Sequence, residues 1–128
     1  MNDLSRAVAA SAAGDVEAVA PDTAARRYLF APGFPGFSGH FPGDPILPAI
    51  VQLMTVVSFA SEREGAPLRL AAVATAKFLS PIHPDEEVLV RYRKVAEDGK
   101  VLYDAALAAA GRPAAAFVLH LVPAGENE

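Results

Sequence analysis

The sequence has no cysteine, which excludes a disulfide framework, thiolate catalysis and thiolate-held zinc. It has no excess of positive charge. The net charge is −4 and the pI about 5.3, the wrong sign for a protein that works by neutralising nucleic-acid phosphates. Charged residues are few (20%) beside 52% hydrophobic ones, which excludes a disordered chain. No apolar run approaches the ~18 residues that span a bilayer. Met1 to Ala20 is poorly suited to be a signal peptide, since it carries Asp3 beside Arg6 and its apolar residues are mostly alanine. No internal repeat stands at a fixed period. These absences leave a single soluble, cytoplasmic domain of 128 residues with neither nucleic acid nor membrane as partner.

What is present divides unevenly. Residues 1–15 read as a tail or loose helix, rich in alanine but with side chains too small to anchor it well. Residues 16–123 form the folded domain, and 124–128 a C-terminal tail. Arg26 to Phe30 reads as a short strand stopped by Pro32-Gly33. Residues 32–48 (PGFPGFSGHFPGDPILP) hold five prolines and four glycines in 17 positions, so no regular element forms there. The same stretch holds Phe34, Phe37, Phe41, Ile46 and Leu47. A loop that apolar must be packed down, and such loops position something.

Pro48 suits a first helical position, and 49–62 (AIVQLMTVVSFASE) runs on without Pro or Gly, with Gly65 as a C-cap. This helix is apolar on nearly every face, which predicts that other structure wraps it. The rest reads as strands: Leu70 to Leu79, Val88 to Val95, Val101 to Ala110 and Ala114 to Val122, with Asp98-Gly99 as a hairpin turn. In the second of these Val88, Val90 and Tyr92 share a face; in the last, Ala115, Phe117, Leu119 and Leu121 do. One long apolar helix with a mostly antiparallel sheet predicts an α+β fold in which the sheet curls around the helix.

The chemistry gathers where loop meets helix. His40 lies between Gly39 and Phe41, before Pro42-Gly43. An imidazole on a Gly/Pro-fixed loop has the near-neutral pKa and fixed position of a general base. The first backbone N–H groups of the helix, around Ala49, can hold an oxygen that gains negative charge. Together they fit proton abstraction beside a carbonyl; the plainer alternative is that His40 only hydrogen-bonds to hold the loop. His83, between Ile82 and Pro84, reads as a surface turn residue, and His120 as a half-exposed strand residue. Three histidines spread over eighty residues make no metal-ligand spacing. Gln52, Thr55 and Ser58 read as polar contacts to neighbouring backbone. Arg26, Arg27, Arg63, Arg69, Lys77, Arg91, Arg93 and Lys94 either guard a solvated sheet edge or gather on one face toward an acidic partner. The Phe34, Phe37 and Phe41 cluster either gates a tunnel or packs the loop.

The run Gly39-His40-Phe41-Pro42-Gly43-Asp44-Pro45-Ile46-Leu47-Pro48-Ala49-Ile50-Val51-Gln52-Leu53 resembles the signature of bacterial 3-hydroxyacyl-[acyl-carrier-protein] dehydratases. Leu47-Pro48 before the helix, Gln52-Leu53 inside it and the later Lys77-Phe78-Leu79-Ser80-Pro81 are similar to the small branch found in aryl-polyene biosynthesis clusters. The resemblance runs from about Tyr28 to Val95. It implies a hot-dog fold, a curved antiparallel sheet wrapped around a central helix. It implies action on an acyl thioester, carried on acyl-carrier protein or CoA, in fatty-acid-like or polyketide-like biosynthesis, without a cofactor.

It also implies roles. His40 takes the loop histidine's part at the α-proton, and the Ala49 N–H binds the thioester oxygen. Phe41, Gly43, Pro48 and Met54 would then lie along the substrate. In the family a helix carboxylate protonates the departing β-hydroxyl, and that position, fourteen after His40, is Met54 here. A thioether neither donates a proton nor carries charge. Ala49 likewise stands where the family usually has glycine. Gln52 and Thr55 are weak substitutes for the acid, Asp44 lies on the loop, and Glu62 is two turns further along the helix.

The family's dimer pairs the histidine of one chain with the helix carboxylate of the other. The resemblance therefore implies a homodimer, or a heterodimer in which an acid-bearing hot-dog chain completes the site of His40. The rival readings are a hot-dog thioesterase and a non-catalytic acyl-binding subunit.

Overall fold

The computed structural model describes residues 3–37 and 43–125. Its elements are α1 (Asp3–Ala10), β1 (Glu17–Ala20), β2 (Thr23–Leu29), a single 3₁₀ turn at Pro35–Phe37, α2 (Ala49–Glu64), β3 (Leu68–Phe78), β4 (Glu87–Glu97), β5 (Lys100–Ala109) and β6 (Arg112–Pro123). The strands form one sheet in the order β1-β2-β4-β5-β6-β3, every neighbour antiparallel. The expected α+β architecture is therefore present, and its concave side holds α2.

Local chemistry accounts for the elements. On β4, Val88, Val90 and Tyr92 are fully buried while Arg91 and Arg93 point outward, a period of two set by the pleat. Ala115, Phe117, Leu119 and Leu121 line the inner face of β6 as their alternation predicts. The β4–β5 hairpin turns at Asp98 (φ 51°) and Gly99 (φ 77°), the left-handed pair that matches strand twist. Helix α2 ends at Gly65 in the left-handed conformation (φ 74°), its N–H donating to the Ser61 and Glu62 carbonyls. Phe59 of α2 packs edge-on against Tyr92 at 5.0 Å between ring centres, which fixes the helix to the middle of the sheet.

The structure departs from the sequence expectation at several points. A strand, β1, precedes the one expected at Arg26; its EAVA is too short to show alternation, and pairing with β2 makes it a strand. Helix α1 is docked. Val8 is fully buried, and Leu4 and Ala7 pack on the core. Residues 11–13 then run beside β2, with Ala13 N–H donating to the Arg27 carbonyl at 2.9 Å and Leu29 N–H to that of Ser11 at 2.9 Å. One well-placed valine and a backbone edge do what the small side chains could not. Pro48 is the N-cap residue, with extended backbone (φ −63°, ψ 153°), and the helix begins at Ala49. Phe34 and Phe37 are buried and meet edge-on, so they pack the core; Phe41 lies outside the described residues.

Candidate functional site

The wrapping expected around α2 is one-sided. Val51, Gln52, Thr55, Val56, Phe59 and Ala60 are buried against the sheet. The opposite face, with Ile50, Leu53, Met54, Val57, Ser58 and Ser61, lines a cavity of about 840 Å³. It runs from the first turn of α2 to its C-cap, with α1 (Ser5, Ala9) and the start of β3 (Leu68, Leu70) as its other walls. Its lining is mostly apolar, and its size falls in the range of small-molecule sites. It remains open because β3 is exposed at every position but Leu68 and Leu70, although its sequence is apolar.

Met54 therefore stands on the cavity wall. Ala49 and Pro48 are at the helix start, five and six positions earlier, or roughly 7–9 Å along the axis at 1.5 Å per residue. Neither they nor Gly43, which is exposed, line the cavity among the described residues. His40 and Phe41 lie outside the described residues. The Pro48 carbonyl accepts from the Val51 and Gln52 N–H groups, both at 3.1 Å. The amides of Ala49 and Ile50 come ahead of the helical bonding, leaving them no acceptor within the helix.

The segment leading to that end is held in place. Leu47 is buried and its N–H donates to the Ile82 carbonyl at 2.8 Å, while Gln52 Nε2 donates to the Leu47 carbonyl at 3.1 Å. Gln52 thus makes the backbone contact expected of it, and so does Thr55, whose hydroxyl donates to the Val51 carbonyl at 2.8 Å. Asp44 is exposed and faces His83.

The cavity has polar members that spacing from Met54 identifies. Ser58 and Ser61 follow at four and seven positions, and Glu62 at eight. Ser61 Oγ accepts the Leu68 N–H at 3.0 Å, joining α2 to β3. Glu62 Oε2 accepts from Arg26 Nη1 at 2.6 Å, a bond that holds the guanidinium charged. The carboxylate lies about 12 Å along the axis from Met54 and is engaged by Arg26.

On the closed side, burial pushes the Tyr28 and Tyr103 hydroxyls up to about 12. They keep their protons across the physiological range. Of the cations read either as guards of a sheet edge or as a face toward an acidic partner, Arg27 pairs with Glu87 at 3.0 Å and Lys94 with Glu64 at 2.9 Å. Among the described residues no group of three His, Asp or Glu stands where it could hold a metal ion. No helix is long and apolar enough to cross a membrane.

The sequence and fold have known counterparts. Among curated proteins, a 3-hydroxyacyl-[acyl-carrier-protein] dehydratase FabZ of Sodalis glossinidius is 32% identical over 100 residues, covering 61% of this chain and 66% of the relative. The chain spans about half to two thirds of the length of the curated relatives it matches. Among solved structures, the dehydratase heterocomplex ApeI:P from Xenorhabdus doucetiae superposes with a TM-score of 0.73 at 22% identity, over 84% of this chain and 93% of that one. A thioesterase complexed with coenzyme A and zinc from Thermus thermophilus gives 0.58 at 21% identity, over 80% of each chain. At those identities the superpositions establish the shared hot-dog fold. Residues 17–115 match the family model of the ApeI-like proteins, described as ApeI dehydratase, and with that match covering most of its length, the chain belongs to the ApeI-like dehydratase family.

Proposed function

We propose that the protein takes part in dehydrating a 3-hydroxyacyl thioester, carried on acyl-carrier protein or CoA, to the 2-enoyl thioester. The observation that carries this reading is the apolar cavity of substrate size along α2, whose first turn, with Ile50 on the cavity wall, follows directly on the histidine-bearing motif in the sequence. In this reading the thioester carbonyl lies against the Ala49 N–H, which steadies the charge it gains as the α-proton leaves. His40 takes that proton. The C2–H electron pair forms the C2=C3 bond, the C3–O bond breaks, and the departing oxygen must receive a proton to leave as water.

The last proton is the weak point. Met54 lines the cavity; in this reading it takes the position of the family's acid and has no proton to give. One route is that His40 returns the proton it took. The other is that a second hot-dog chain brings a carboxylic acid across an interface. A specific observation favours the second route: β3 is an edge strand, apolar and exposed, and it borders the open side of the cavity. Another chain added there would cover that strand and close the wall beside Met54. The ApeI:P structure is itself a heterocomplex.

The test is incubation with a 3-hydroxyacyl carrier protein, the chain alone and then with an acid-bearing hot-dog chain of the same source. A 2-enoyl product supports dehydration, and a large rate increase on mixing supports the completed site. Release of free acid instead assigns the chain to the thioesterases. Tight acyl binding with no turnover in either case leaves it a binding subunit. Unchanged turnover in His40→Ala would remove the histidine from the mechanism.

A further inference from the structure

His83, on the connection from β3 to β4, stands between two carboxylates. Its Nε2 is 3.5 Å from Asp44 Oδ1 and its Nδ1 3.4 Å from Glu86 Oε1. The carboxylates belong to different parts of the molecule. Glu86 is fixed: Arg112, at the start of β6, donates to both its oxygens at 2.8 and 2.9 Å, and also to the Pro81 carbonyl at 2.7 Å. The His83 N–H adds a bond to Glu86 Oε1 at 2.8 Å. Asp44 belongs to the segment that runs into α2, exposed except for its approach to His83. Beneath this contact, the Leu47 N–H to Ile82 carbonyl bond lays the same segment on the same connection.

A neutral imidazole has one N–H and can donate to only one of two flanking carboxylates; an imidazolium donates to both. We propose that His83 is a positioning residue that, when protonated, bridges Asp44 to the Glu86–Arg112 brace and so holds segment 43–48 at the start of α2. The charged groups about the ring are Asp44, Glu86 and, on the same connection, Asp85, with Arg112 behind Glu86. Protonation therefore tightens the segment as pH falls, and the bridge is lost as pH rises through the ring's titration. The bridge does not depend on the proposed reaction; any effect on turnover rests on that reading.

The measurement is hydrogen exchange of the Leu47 amide in the full chain from about pH 5 to pH 8, corrected for intrinsic exchange, beside the His83 ring titration by NMR. The amide should open about two- to fivefold less often on the acid side, in line with a partly exposed ion pair. The step should coincide with the His83 titration and vanish in both Asp44→Asn and His83→Gln. A flat wild-type profile, or a step that persists in Asp44→Asn, overturns the proposal. If wild-type protein shows the exchange step but forms no enoyl product, the bridge stands and the proposed reaction falls. If it is active, His83→Gln should alter the pH profile of KM while leaving kcat at its high-pH value.

Discussion

The two faces of α2 have nearly the same composition and opposite fates. One face presents Val51, Val56, Phe59 and Ala60, all within 1% of full burial; the other presents Ile50, Leu53, Met54 and Val57, with Ile50 58% exposed. Strands β4 and β3 repeat the contrast, both eleven residues long. The first alternates between buried and exposed, and the second is exposed along most of its length. Apolar character alone does not decide burial. A residue is buried when another element lies opposite it, and β3, at the sheet's edge, has a neighbour on one side only. The closed face of α2 holds the fold together, while its open face, bordered by that edge, is free to serve a ligand or another chain.

Substitutions on each face should separate these roles. The largest effect belongs to the open face. Met54→Glu places a carboxyl group on the cavity wall, and a positioned acid typically contributes roughly 10²–10⁴-fold in rate, about 3–5 kcal/mol. Dehydration by the chain alone should rise by that order, measured as 2-enoyl product. No gain would mean that the cavity wall at Met54 is not where the leaving hydroxyl sits.

Comparable energies on the closed face should appear in stability. Phe59→Ala removes a fully buried ring in contact with Tyr92 and should cost about 3–5 kcal/mol in denaturant unfolding. Met54→Ala, on a half-buried side chain, should cost about 1 kcal/mol or less. Equal losses would erase the distinction between the faces.

A smaller effect concerns the brace behind His83. The Arg112 hydrogen bonds pull the Glu86 carboxyl down to about 2, against the desolvation that opposes them. A carboxyl with a lowered folded-state pKa adds stability that is present above about pH 4.5 and lost as pH falls toward 2. Acid unfolding of Glu86→Gln should therefore lack part of the slope seen in the wild type across that interval.

The smallest effect is again on the closed side. The Tyr28 hydroxyl is buried with no hydrogen-bond partner among the described residues. Tyr28→Phe should leave stability unchanged or raise it by up to about 1 kcal/mol, since it removes an unpaired polar group without opening a cavity. A marked loss would show that the hydroxyl is satisfied in solution.

Much of this was legible from residue order because it is written in local chemistry. The alternation at Val88, Val90 and Tyr92, the Asp98-Gly99 turn, the extent of α2 with Gly65 behind it, and the inward face of β6 all follow from pleat, propensity and backbone freedom. So did the motif from Gly39 to Leu53, whose family the model match over residues 17–115 bears out. Other features depend on what lies opposite in space. Val8 anchors α1 because the core offers it a place. Pro48 caps α2 in extended conformation because Leu47 is pinned to Ile82. His83 reads as an idle turn residue until Asp44 and Glu86 are seen on either side of it. From residue order alone come α2, five of the six strands and a sheet curled about that helix. Which side of α2 is sealed and which lines the cavity was set in three dimensions, since sheet order, settled by long-range pairing, leaves β3 at the edge.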